Sequence, residues 1–140
     1  MSHDELNALC AEKVAGWKWY VLIDDEGKPC SCGLRADTPQ LKKEVERGWF
    51  KPGKCAKIDH IYSMPSYCTD PAAVIALLEK EAVPGIVSIE MEAAIPQLWR
   101  VSLSYRGQGA ETDTFDAEAP TFALAATLAL LKAHGCEVRE

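Results

Sequence analysis

Basic charge, long apolar runs and histidine are all scarce in this sequence, and each scarcity closes off a class of function. Lysine and arginine number 15 against 21 aspartates and glutamates, for a net charge of -6. A dedicated DNA- or RNA-binding face needs clustered cations to neutralise phosphates, so nucleic acid is not an expected partner. The densest basic stretch, Lys51 to Lys57, sets its lysines around the Pro52-Gly53 turn and reads as a solvated loop. The longest apolar run, Phe122 to Leu131, falls well short of the ~20 residues that cross a bilayer. Met1 is followed by Ser-His-Asp-Glu rather than a basic and then apolar leader. The expectation is a cytoplasmic protein with no membrane partner. Only His3, His60 and His134 are available as imidazole bases. No P-loop, G-x-S-x-G or H-E-x-x-H motif occurs, and Gly107-Gln108-Gly109 lacks the third glycine and the following helix of a dinucleotide loop. The expectation is therefore a protein that is not an enzyme.

What is present is the patterning of an ordinary globular chain, 48% hydrophobic and 26% charged. Its 140 residues suffice for one domain with its own core. Ser2 followed by Glu5 makes a capping box, and Leu6, Leu9, Cys10 and Val14 share one helical face that ends at Gly16. At Trp17 the period changes to two: Trp17, Trp19, Val21 and Ile23 alternate with Lys18, Tyr20 and Leu22, so a strand follows the helix with no linker. An acidic turn at Asp24–Gly27 leads to a return strand over 28–32. Thr38-Pro39 predicts a short helix to Arg47, followed by a Gly/Pro loop holding Trp49 and Phe50. A further short strand is expected over 58–62. Asp70-Pro71 opens a helix whose Val74, Leu77 and Leu78 face inward. Two half-buried strands follow, Val87, Ile89 and Met91 alternating with Ser88, Glu90 and Glu92, then Trp99, Val101, Leu103 and Tyr105 with Arg100, Ser102 and Ser104. Residues 112–115 add a short strand. Pro120 opens a final helix, with Glu118 near its positive end and Lys132 and His134 near its negative end. Residues 121–131 of this helix are apolar almost all round, which calls for burial by a deep core or by a second subunit.

Three segments resemble the phage ABA sandwich domain family: Ala11-Glu12-Lys13-Val14-Ala15-Gly16-Trp17, then Tyr67-Cys68-Thr69-Asp70-Pro71-Ala72-Ala73, then Glu118-Ala119-Pro120 running into Ala129-Leu130-Leu131-Lys132-Ala133. Trp99 on a late strand also fits. The resemblance implies a small phage or prophage accessory protein. Its fold would be α/β of the α+β type, a three-layer α-β-α sandwich with a mainly antiparallel sheet and three main helices. The chain would be one domain over 1–140 with an insertion at about 33–66. The family brings no catalytic residues to carry over. Cys68 stands where the family has serine, and the 33–66 stretch is long for it.

Six cysteines in a reducing compartment are thiols or metal ligands before they are disulfides. Cys30, Cys32, Cys55 and Cys68, with His60 as a substitute ligand, are enough soft donors for tetrahedral zinc, the only cofactor considered. The C-x-C spacing is not a zinc-knuckle spacing, and scattered structural thiols explain the same residues. A Cys68–His60 pair is the only nucleophile and base to weigh, as a hydrolase. Asp24-Asp25-Glu26 and Glu90/Glu92 are accounted for by an acidic turn and a solvated strand face. The aromatics carry the remaining signal. Trp17 and Trp99 are expected beneath helices, whereas Trp49 and Phe50 in a glycine-flanked loop suit stacking on a base while Arg47, Lys51 or Arg100 meets phosphate. Tyr67 and Thr69 complete that ligand-binding set.

Two functional expectations follow. One is a non-enzymatic phage protein that binds a small nucleotide-like ligand or a host protein and counteracts host defence by sequestration. The other is a structural or protein-interaction module, zinc-stapled and homo-oligomeric.

Overall fold

The computed structural model describes residues 2–55, 65–81, 86–94, 98–106 and 112–136. These hold helices α1 (His3–Lys13), α2 (Pro39–Glu46), α3 (Pro71–Glu81) and α4 (Phe122–Ala133). The strands are β1 (Lys18–Ile23), β2 (Pro29–Arg35), β3 (Phe50–Pro52), β4 (Ile86–Ala94), β5 (Leu98–Arg106) and β6 (Thr112–Ala119). The protein is of the mixed α+β class, as expected, and among the described residues its strands form two antiparallel three-stranded sheets where one was expected. The chain divides into two compact units, Met1–Cys10 with Pro65–Glu140, and Ala11–Met64. The stretch at 33–66 therefore falls almost wholly within a larger unit that also takes in β1 and the start of β2.

The first unit carries α3, α4 and the sheet β4-β5-β6. Register puts Ile89, Leu103 and Phe115 abreast, then Met91, Val101 and Ala117, on one face of that sheet. The alternate positions align Glu90, Ser102 and Asp116, then Glu92, Arg100 and Glu118. α4 packs over β5 and β6 on the apolar face, with α3 beside it. Trp99 meets Phe122 edge to face at 5.8 Å. Ala123 and residues 125–131 of α4 are all buried, which accounts for its all-round apolarity without a second subunit. Pro120 does not open α4. Thr121 is its N-cap, accepting from Leu124 N at 3.3 Å, and β6 runs on to Ala119, so Glu118 is a strand residue. The capping box at Ser2 and Glu5 forms as read, with both bonds at 3.2 Å. Asp70 Oδ1 accepts from Ala72 N at 3.0 Å at the start of α3, whose Val74, Leu77 and Leu78 are buried.

The second unit is built on the sheet β2-β1-β3. Gly16 at φ 80 stops α1, and Trp17 N donates back to Ala11 O at 2.9 Å, a glycine-ended helix terminus. Asp24 Oδ1 closes the turn by accepting from Glu26 N and Lys28 N. The return strand is longer than expected and reaches Arg35. α2 begins as read, with Thr38 accepting from Leu41 N at 3.2 Å and Pro39 in the first turn. Phe50 lies on a strand rather than in a loop: it pairs with Leu22 on β3 and is buried. The strand expected at 58–62 lies outside the described residues.

Candidate functional site

A cleft of about 360 Å³ opens in the second unit, lined by Trp17, Leu34, Arg35, Ala36, Thr38, Gln40, Leu41 and Glu44. Local structure explains each position. The glycine stop of α1 turns the chain so that Trp17 precedes β1 at the cleft wall. β2 delivers Leu34 and Arg35 at its end. The Thr38 cap then starts α2 at once, and helical spacing sets Gln40, Leu41 and Glu44 on the turns facing β2.

The polar groups of the cleft are wired together. Arg35 Nη2 lies 3.6 Å from Glu44 Oε2, and Gln40 Nε2 donates to Glu44 Oε1 at 3.4 Å. The Arg35 guanidinium also stacks 4.6 Å over the Phe50 ring, a contact that orients it and fixes its plane. One cation and one carboxylate give the cleft little net charge. Such a lining suits a heteroaromatic ring against the Trp17 indole, an amide for its polar edge, and one anionic group at most.

The residues expected to bind ligand are scattered. Arg47, the C-cap of α2, and the half-exposed Trp49 do come together, the guanidinium 5.4 Å over the indole. Lys51 is exposed on β3 opposite Val21. Phe50 is buried beneath Arg35 and cannot meet a ligand as a loop aromatic would. Tyr67 is buried in the first unit and Thr69 is exposed in the same turn. Arg100 donates through Nε to Glu118 Oε1 at 2.8 Å and through Nη2 to the same oxygen. It lines a depression of about 390 Å³ with Glu90, Glu92 and Asp116, so a phosphate brought there meets three carboxylates. That corrects the role expected of Arg100. Composition and spacing did not mark Arg35, Gln40 and Glu44. The available signal was an arginine at a strand end followed directly by a capped helix with a polar i,i+4 pair.

Of the four cysteines expected as zinc ligands, two are seen in contact. Cys32 and Cys55 meet: Cys55 N donates to Cys32 Sγ at 3.1 Å and Cys32 Sγ donates to Cys55 O at 3.3 Å. Burial raises the Cys32 thiol above its ordinary range. Cys30 is exposed at the start of β2, Cys68 belongs to the other unit, and His60 lies outside the described residues. Among the described residues no three His, Cys, Asp or Glu side chains are placed to hold a metal. Burial pushes Cys68 up to about 11. It pushes Cys10 up to about 12, with Cys68 and Cys136 adding to the effect. These are protonated thiols at neutral pH, which is the opposite of what a nucleophile needs. No helix among the described residues is long and apolar enough to cross a membrane. Comparison with protein families, with curated proteins and with solved structures gives no match.

Proposed function

We propose that this protein binds a small nucleotide-like ligand in the cleft between β2 and α2 and does not transform it. The observation that carries the reading is the convergence of an indole, a guanidinium, a carboxylamide and a carboxylate on about 360 Å³. That volume is near the small end of ligand pockets and matches a nucleoside or mononucleotide better than a dinucleotide. The Arg35–Glu44 pair favours one phosphate over three, because each added phosphate charge is repelled by the Glu44 carboxylate. Binding without reaction is the reading of a lining whose one carboxylate, Glu44, is tied to Arg35 and Gln40, and whose Thr38 hydroxyl oxygen already accepts from Leu41 N.

A phage origin, a place in the host cytoplasm and a role in sequestering a host nucleotide signal rest on the resemblance of the Ala11–Trp17, Tyr67–Ala73 and Glu118–Ala133 segments to phage ABA sandwich proteins. Isothermal titration with nucleoside monophosphates, cyclic mono- and dinucleotides and ADP-ribose tests the ligand class. One-to-one binding is expected for a mononucleotide, weakened by about tenfold in Trp17→Ala through the lost stacking contact. No heat from any of them at millimolar concentration, or an affinity untouched by Trp17→Ala, overturns the reading.

A further inference from the structure

We propose that the β4 edge of the first unit is a docking site for an extended segment of a partner protein in which basic and apolar residues alternate. β4 spans nine residues and, among the described residues, pairs on one side only, with β5. Its two faces differ sharply in chemistry. On the apolar face the abreast residues of β5 and β6 lie beneath α4: Val101, Leu103 and Ala117 are buried, whereas Ile89 and Met91 are 37% and 57% exposed. Among the described residues the helix layer stops one strand short of the edge, and an incoming strand would cover the step. On the polar face Glu90 and Glu92 make no ion pair within 4.0 Å among the described residues; Arg100, across from Glu92, feels its charge but is bonded to Glu118.

An added strand satisfies the open backbone edge through main-chain hydrogen bonds, and the side-chain alternation sets its specificity. Period two forces the incoming segment to place cations against Glu90 and Glu92 and apolar side chains beside Ile89 and Met91. The unit's charge agrees, with 5 basic against 13 acidic residues, a net of -8. A second copy of this chain is disfavoured in the two registers that centre the edge on its exposed Glu90 or Met91. Antiparallel self-pairing centred on Glu90 or on Met91 sets carboxylate against carboxylate, and like charges directly opposite are destabilising. The inference does not depend on the cleft, which lies in the other unit.

The test uses the intact protein and a nine-residue peptide of alternating lysine and valine, with a peptide of the same composition in two blocks as control. Fluorescence anisotropy is expected to show binding of the alternating peptide and at least about tenfold weaker binding of the block peptide. Hydrogen exchange over 86–94 should slow when the alternating peptide is bound. Glu90→Lys with Glu92→Lys should weaken binding by about tenfold, and Met91→Ser by a smaller factor. Both variants alter exposed side chains, and circular dichroism checks that they fold. Equal binding of the two peptides, or unchanged exchange over 86–94, overturns the proposal. So does a self-associated dimer in sedimentation equilibrium that Met91→Ser dissociates, since the edge would then be occupied by a second copy.

Discussion

Tyr67 and Cys68 stand out in the sequence as side chains, yet the structure uses them chiefly through their backbone. The Cys68 N–H donates to Asn7 Oδ1 at 2.9 Å, and the Tyr67 carbonyl accepts from the Thr127 hydroxyl at 2.9 Å. That hydroxyl also lies 2.8 Å from Ala123 O, so its single proton is shared between two carbonyls. All of these groups are buried, where a polar atom stripped of its partner is costly. Asn7→Leu keeps the branched shape and orphans the Cys68 N–H, and should lower stability by about 1–3 kcal/mol. Thr127→Val is nearly isosteric and should cost about 1–2 kcal/mol by the same argument. Urea denaturation at pH 7 measures both, and a change under about 0.5 kcal/mol in either would show that the turn finds another partner.

At the scale of elements, capping chemistry and periodicity were legible wherever one residue type dictates the outcome. Ser2/Glu5, Gly16, Thr38-Pro39 and Asp70-Pro71 each mark a boundary that the structure keeps. The β4–β5 pair was legible from its alternation, and α3 from its buried stripe. Boundaries were lost where two signals competed. Pro120 is a good first helical residue, but Thr121 behind it is a better cap: β6 runs to Ala119, and Thr121 itself has extended backbone angles. Phe50 looked like a loop aromatic because Gly48 and Pro52 flank it, whereas pairing with Leu22 makes it a strand. The cleft was illegible for a different reason: Trp17 and Arg35 are far apart in sequence and only β1–β2 pairing brings them together, while α2 folds Glu44 back toward Arg35. The Thr121 cap gives a direct check. Thr121→Ala should destabilise the protein by about 1 kcal/mol, while Pro120→Ala should leave the helix content by circular dichroism unchanged. The opposite ranking would restore Pro120 as the first helical residue.

The whole molecule distributes charge and burial unequally between its units, and alkaline pH should expose the difference. The first unit carries a net of -8 and the second +2, from 10 basic and 8 acidic residues. The first unit also buries four weak acids in neutral form. Burial raises Cys10 to about 12 and Cys68 to about 11 from an ordinary 9.0. It raises Tyr67 and Tyr105 to about 12 from an ordinary 10.0. The unfolded chain releases these protons first, so between pH 9 and 12 the native state holds more protons than the unfolded state. Stability must then fall as pH rises, with no contribution from these groups below about pH 9. Each thiolate or phenolate formed on unfolding also adds to a unit that is already strongly negative. Urea midpoints taken at steps from pH 7 to 10.5 should be flat at first and decline above pH 9. The cysteines titrate first, so replacing Cys10 and Cys68 with alanine should lower the midpoint at every pH and flatten its fall between pH 9 and 10. An unchanged slope in that double variant would place the alkaline sensitivity elsewhere in the chain.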